Sequence, residues 1–455
     1  MPKPQANLES YIRSIRPKFE DMLAQLVETP SVSSDPGCVK DIHRTAQLAA
    51  QYLKALGAKA KIIQTRGFPV VSGGWVANPK YPTITIYNHL DVQPAQEPEW
   101  RQEPFAFHRE GDRYCGRGTT DDKGPALTAL LAGRYAAEQG LPLNIRFLWE
   151  LEEEIGSPNF QDALDQKKVV PRPDSVVISD TIWVSRQRPA ISTGLRGLLS
   201  VQLSLRTGTT DVHSGLTGGG ARNPLVELCA VVHACVDART GRVKIPGFYD
   251  EVKAPTAKER KEFLASGFNV SGFKKAYGFH KLRTENPADL ITRIWAAPTF
   301  EVHGLVGGHS GPGVKTVVPP HGELKVSMRL VPNQHPKRIF AGLKRFIKTL
   351  NPDIRIQCDG QLEPFRGVTD GPHAEALRAA VRAGFGKNPS LVREGGSIGA
   401  ISLMEKAWNV PILFLGLSLP EHGYHAPNEF FDWGQASGGI RAFTHYFTAL
   451  SRLRK

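Results

Sequence analysis

Apolar residues recur at helical spacing from Asp41 to Leu56 (DIHRTAQLAAQYLKAL), and the pattern stops at Gly57. That spacing predicts a helix closed by the glycine. Four later runs, KAKIIQT, TITIYN, IRFLWE and DSVVIS, are short, rich in β-branched and aromatic residues, and read as buried strands. Between two of them, Pro125 to Gln139 (PALTALLAGRYAAEQ) reads as one crossover helix. Its start at Lys123-Gly124-Pro125 suits proline, whose missing N–H is no loss in a first turn. Strands alternating with helices imply a largely parallel sheet flanked by helices, an α/β fold.

The texture changes near Gly194. GLLSVQLSLRT and ELKVSMRLV alternate with period two, as strands with one solvated face do. Residues 242–293 lie between these strands and show little periodicity, with eleven Lys or Arg against six Asp or Glu. After Val368 the first texture returns: a helix at HAEALRAAVRAGF, a buried strand at VPILFLG, and a closing helix near Gly434 to Leu450. The expected architecture is a discontinuous catalytic domain, residues 1–192 plus 369–455. Its mostly parallel sheet is interrupted by an inserted α+β domain at 193–368.

Composition narrows the class. The chain has 455 residues, 40% hydrophobic and 22% charged, which suits a multi-domain globular protein and excludes a single small module. Five widely spaced cysteines with no C-x-x-C pair indicate neither a disulfide framework nor a thiolate zinc site, and fit a reducing, cytoplasmic setting. The leading segment MPKPQANLESYIRSIRPKFEDM lacks the apolar core of a signal peptide, and the longest apolar stretch, Leu225 to Val236, is too short to cross a bilayer. A net charge of +13 bears on association and solubility rather than fold.

The chemistry gathers at strand ends. TITIYN runs into His89-Leu90-Asp91, IRFLWE leads to Glu152-Glu153-Glu154, DSVVIS ends at Asp180, and Asp121 precedes the crossover helix, while His425 follows VPILFLG. Ligand sites of open α/β sheets lie beyond the carboxyl ends of the strands, so these side chains can converge. Imidazoles and carboxylates suit zinc, manganese or cobalt, and enough of them hold two ions. Of two adjacent acids, one can ligate while its neighbour stays free as a general base. Taken singly, each group has an ordinary explanation: His89 as a polar strand end, Glu152 to Glu154 as a solvated helix start, Asp180 as a cap.

The motifs NHLDVQP, GRGTTDDKGP, LEEEIGS, ISD, STGLRG, DVHSG, KTVVP, MRLVPNQHP, REGGSIG and HAPNE occur in that order. In this set the chain resembles the di-metal peptidases related to carnosinase, cytosolic nonspecific dipeptidase, aminoacylase and glutamate carboxypeptidase, the dipeptidase branch most closely. The resemblance implies two divalent ions, zinc first, with manganese or cobalt serving the same ligands. His89, Asp121 and Asp180 would bind one ion, and Asp121, Glu154 and His425 the other. The choice of Asp121 over Asp122 as the bridge rests on counting R-G-x-x-D from Arg117. Asp91 would orient His89, a role metal-bound histidines require. Glu153 would be general base and acid toward a water between the ions. His213 in DVHSG would reach the partner subunit's site in a homodimer formed through the inserted domain, and stabilise the oxyanion. Arg329 would bind the substrate's carboxylate, with Glu394, Gly395, Gly396 and Ser397 beside it. The implied activity is hydrolysis of dipeptides or short peptides with a free carboxyl terminus, completed by closure of the inserted domain as a lid.

Within the same family the alternative is deacylation of N-acyl amino acids. A serine hydrolase is a more distant reading, because Gly395-Gly396-Ser397-Ile398-Gly399 satisfies G-x-S-x-G, with Asp432 and His445 in the required chain order. It leaves the acidic strand ends without a purpose. A nucleic-acid platform would use Phe263, Phe268, Phe273, Tyr277 and Phe279 among the basic residues of 242–293. The expectation is instead that these rings bury against the inserted domain and its cations are solvated, with no nucleic-acid or membrane partner.

Overall fold

The computed structural model describes residues 4–453; Met1 to Lys3 of the leading segment and Arg454-Lys455 lie outside the described residues. Six strands form the central sheet, in the order Lys59–Ile63, Val70–Trp75, Asn144–Glu150, Thr83–His89, Ser175–Ile178, Ile412–Phe414. The last four run parallel to one another. Val70–Trp75 is antiparallel to both its neighbours and is the strand the hydrophobic pattern does not announce, because VVSGGW carries two glycines and little alternation.

The crossover helix spans Gly124–Glu138, one residue earlier than the pattern predicts. Gly124 to Gly133 are all buried, because the helix is enclosed between the sheet and the closing helix Trp433–Leu450. Close approach requires Gly133, where a Cβ would stand 2.9 Å from the Phe147 ring. The first predicted helix spans Val39–Ala55 and lays Ile42, Ala46, Ala49, Ala50 and Leu53 on the same core.

A separate antiparallel sheet has the order Glu301–Gly307, His321–Leu330, Gly197–Arg206, Arg355–Leu362. Period two holds along Gly197–Arg206: Leu199, Val201, Leu203 and Leu205 are buried against Leu228, Val231, Leu343 and Ile347. Those partners come from helices Pro224–Cys235 and Pro336–Leu350, which cover one face. The edge strand Glu301–Gly307 has a free side and exposes Val302, Leu305 and Val306.

The basic insert departs from expectation. It contains helices Ala257–Leu264, Val270–Ala276 and Pro287–Ala296, the first opened by a capping box in which Thr256 and Glu259 satisfy each other's backbone N–H. The T-x-x-E signal was present in the sequence, and such a cap contributes about 1 kcal/mol. Phe263 and Phe268 do not bury against the antiparallel sheet. They pack with Trp295, Trp183, Val392 and Leu419, beside the elements that frame the central sheet's carboxyl edge. Phe273, Tyr277 and Phe279 continue this ring cluster outward, and Tyr277 and Phe279 are exposed.

Candidate metal centre and active site

The parallel strands deliver their ligands to one edge. His89 closes Thr83–His89, Glu153 and Glu154 open a single turn just after Asn144–Glu150, and Asp180 lies two residues beyond Ser175–Ile178. Asp121 comes from the tight turn leading into the crossover helix, and His425 from the segment after Ile412–Phe414. His425 sits at φ +55°, a left-handed conformation that is costly for a side chain with a Cβ and is held by the turn around it.

Asp121 stands between the two imidazoles. Its Oδ1 is 2.9 Å from His89 Nε2 and its Oδ2 is 2.8 Å from His425 Nε2. Asp180 Oδ2 lies 3.8 Å from His89 Nε2, and Glu154 Oε2 lies 3.3 Å from His425 Nε2. Two sets of three donors result, His89-Asp121-Asp180 and Asp121-Glu154-His425, each with donor atoms within 4.8 Å of one another. Asp122 turns away and accepts from Asn88 Nδ2 at 2.7 Å, so Asp121 is the aspartate shared by both sets.

The surroundings fix these groups. Asp91 lies against His89 Nδ1 through its carbonyl at 3.0 Å and its carboxylate at 3.4 Å. The same carboxylate accepts Ser33 Oγ and the backbone N–H groups of Glu153 and Glu154. Tyr424 donates to Asp180, and Gln93 Nε2 donates to Glu154 Oε2 at 2.7 Å. Glu429 accepts the backbone N–H groups of Gly118, Thr120 and Asp121 and pairs with Arg117 at 2.9 Å, so it shapes the turn that carries Asp121. Glu429 ends the HAPNE motif that contains His425, but nothing local in the sequence marks it as a support for the turn at Thr120, 309 residues earlier.

The donor set fits cations. Glu154 Oε1 is buried without a hydrogen-bond donor, and Asp121 Oδ2 faces only the His425 imidazole. Burial pushes the carboxyls of Glu153, Glu154 and Asp180 upward, and neighbouring acids add to the effect. Burial opposes charge on His89 and His425 too, but their acidic neighbours win: His89 is held well above the ordinary histidine value and His425 up to about 11. Protons are thus drawn into the cluster to balance its negative charge. A divalent ion in each set would take over that balance and leave the carboxylates ionised and the imidazoles neutral, as ligation requires.

Two guanidinium groups gather beside the Glu394–Ser397 loop. Arg329 Nη1 donates to Ser397 Oγ at 3.0 Å, and Ser397 in turn donates to the Arg196 carbonyl. Burial, and then the charge of Arg329, lower the Arg196 guanidinium to about 10, so two cations lie close together here. Arg196 lies in the STGLRG motif, but only the fold brings it beside Arg329. Glu394 faces the other way: it accepts from Ser192 Oγ at 2.9 Å and from Ile182 N–H at 3.3 Å, and burial, with Asp180 nearby, raises it to about 8. Gly395 leaves room for the Arg196 guanidinium, since a Cβ there would stand 2.7 Å from Nη2 and push that side chain aside. Gly396 has open space around it.

His213 is not brought to this cluster. It is exposed at the end of strand Val212–His213, and its Nδ1 accepts the Gly215 N–H. The serine-hydrolase arrangement is not assembled either. Ser397 is held between two arginines, His445 is exposed on the closing helix, and Asp432 pairs with His422 Nε2 at 3.1 Å and with Arg186. His422 Nδ1 lies 2.9 Å from Thr120 Oγ1, so this buried chain supports the Asp121 turn.

Fold and site define an α/β protein with two three-donor sets, suited to cations, that share one carboxylate at the carboxyl edge of a mostly parallel sheet. Residues 85–449 match the family model of peptidase family M20/M25/M40, and the chain belongs to that family. It is 31% identical to the Cys-Gly metallodipeptidase of Candida albicans, over 96% of each chain. It is 28% identical to the Beta-Ala-His dipeptidase of Rattus norvegicus, over 98% of this chain and 95% of that one. Among solved structures, an M20 family metallo-carboxypeptidase from Sulfolobus solfataricus superposes with a TM-score of 0.88 at 31% identity, covering 95% of this chain and 98% of that one.

Proposed function

We propose that this protein is a metal-dependent dipeptidase whose two divalent ions are held by His89, Asp121 and Asp180 and by Asp121, Glu154 and His425. The observation that carries this is the sharing of Asp121 by two three-donor sets, with Glu153 within electrostatic reach of His89 and Asp180, and with Arg196 and Arg329 gathered at the Glu394–Ser397 loop. When bound, the ions supply Lewis acidity toward the scissile carbonyl and acidify a water. Zinc is the first choice, with manganese or cobalt accepted by the same donors.

The chain's own residues do the rest. Glu153, raised by burial and free of a strong partner, takes the proton of the attacking water and returns it to the leaving amine. Asp91 orients both His89 and the Glu153 turn. Arg329, Arg196 and Ser397 receive the substrate's carboxyl terminus, where charge-assisted hydrogen bonds fix its direction. Glu394 supports a free amino terminus over an N-acyl group, because a buried carboxyl next to Asp180 is stabilised in its charged form by an ammonium.

We further propose the division into a catalytic unit, 1–192 with 369–455, and an inserted lid, 193–368. The exposed Val302, Leu305 and Val306 on the lid's edge strand support a homodimer through that domain, with His213 serving the partner subunit's site as oxyanion donor. All five cysteines are unpaired, which supports a reducing, cytoplasmic setting. No helix of the described residues is long and apolar enough to cross a membrane.

The test is a panel of dipeptides and N-acyl amino acids given to metal-stripped protein, before and after restoration with zinc, manganese or cobalt. Dipeptide hydrolysis that returns only with metal supports the proposal. Preference for N-acyl amino acids turns it toward deacylation, and activity that survives chelation overturns it.

A further inference from the structure

The hairpin formed by His108–Glu110 and Arg113–Cys115 carries a group of side chains that the proposed reaction does not use. His108 and Cys115 are directly opposite in its antiparallel register, and Glu110, two residues along, shares their face because strand side chains alternate. One donor atom from each of the three lies within 4.8 Å of the other two. His108 Nε2 stands 3.4 Å from Glu110 Oε1, while His108 Nδ1 is buried with no hydrogen-bond partner. Cys115 is unpaired and half-buried.

These three donors match one class of ion. Thiolate and imidazole prefer zinc and its borderline neighbours to magnesium or calcium. Around tetrahedral zinc, bond lengths of roughly 2.0–2.3 Å put neighbouring ligand atoms between about 3.2 and 3.8 Å apart, within a small side-chain rotation of the separations present. We propose that His108, Glu110 and Cys115 form a third metal site, separate from the Asp121 pair, that takes a zinc-class divalent ion with water in its fourth position. Binding exchanges the thiol S–H for an S–metal bond, and the proton goes to solvent.

The position of the site suggests what it does. Arg113–Cys115 is the middle strand of a three-stranded sheet, paired on its other side with Phe430–Asp432, and it leads directly through Gly116 and Arg117 to the turn that carries Asp121. An ion bound here ties the hairpin together only in the folded chain, so it stabilises the support of the active site without touching substrate.

Cobalt distinguishes this site from the other two, whose donors are nitrogen and oxygen alone. Titrating protein already loaded with two equivalents of cobalt should give a near-ultraviolet thiolate-to-cobalt absorption that saturates at one further equivalent. Cys115→Ser should abolish the band, and His108→Ala should weaken the third equivalent at least tenfold. Both variants should keep the first two equivalents and their dipeptide turnover. Absence of the band beyond three equivalents, or its persistence in Cys115→Ser, overturns the proposal. Should Cys115→Ser not fold, an unchanged band in His108→Ala overturns it equally.

Discussion

The carboxylate of Asp91 accepts the backbone N–H of Glu153 at 3.2 Å while its other contacts hold the His89 imidazole. One side chain thereby registers His89, a proposed metal ligand, against Glu153, the proposed acid–base group, although Asp91 and Glu153 are 62 residues apart in sequence. An isolated orienting residue would serve only the histidine.

Asp91→Asn should therefore damage two functions together. The amide keeps one acceptor but presents N–H groups toward one of the two backbone donors of Glu153 and Glu154, which reach different carboxylate oxygens. Metal affinity and kcat should both fall, by about 10- to 100-fold, as outer partners of ligating histidines commonly show. Metal content after dialysis and steady-state kinetics measure the two effects. A loss of metal affinity at full kcat would separate Asp91 from the placement of Glu153.

Glu153 and Glu154 are adjacent but should fail differently. Glu153→Gln should lower kcat by roughly 10²–10⁴-fold while both metal equivalents stay bound, since a general base is lost and no ligand is. Glu154→Gln should lose one metal equivalent. Calorimetric metal titration beside activity distinguishes them, and identical metal stoichiometry in both variants would contradict the assignment.

The pair Arg196 and Arg329 predicts dependence on the substrate's carboxyl terminus. Arg329→Gln should lower kcat/KM for dipeptides by about 10- to 100-fold, the value of a hydrogen bond to a charged group. On dipeptide amides, which lack that charge, the variant and the native enzyme should differ little. An equal loss on both substrates would mean that Arg329 acts on structure rather than recognition.

Glu150 predicts a pH dependence of stability. Burial raises its carboxyl from an ordinary 4.5 to about 8, against the opposing hydrogen bonds from Ser157 and Tyr87. The folded state thus holds this proton more tightly than the unfolded chain. Its contribution is complete below pH 4.5 and is lost as the pH rises through about 8, on the order of a few kcal/mol. Glu150→Gln reproduces the protonated form: its carbonyl can accept from Tyr87 and Ser157, and its amide takes the place of Oε2, which has no partner. Denaturant unfolding at pH 5.5 and pH 8.5 should show a smaller loss of stability in the variant; equal losses would count against a neutral buried Glu150.

The strand ends and helix starts were legible because they depend on neighbours along the chain. The alternation in Gly197–Arg206 needs only its own ten residues, and the run TITIYN ending at His89 marks both strand and ligand. Val70–Trp75 was hidden because its glycines remove the pattern, and the insert's helices because their apolar residues face another part of the molecule rather than their nearest strand. The serine reading also needed the fold: only there does Asp432 choose His422 over His445.

What the sequence by itself determined was the inventory and the edge: an α/β sheet whose parallel strands end in imidazoles and carboxylates, with the ordered motifs that mark the family. The tertiary structure decided how those groups divide. It turned Asp121 inward and Asp122 toward Asn88, set Glu429 under the Asp121 turn, and placed Arg196 beside Arg329. The physical reason is that periodicity records which face of an element is apolar, whereas a buried charge is settled by the partners that compensate it. Glu429 and Thr120 stand 309 residues apart, and only the folded chain brings them within a hydrogen bond.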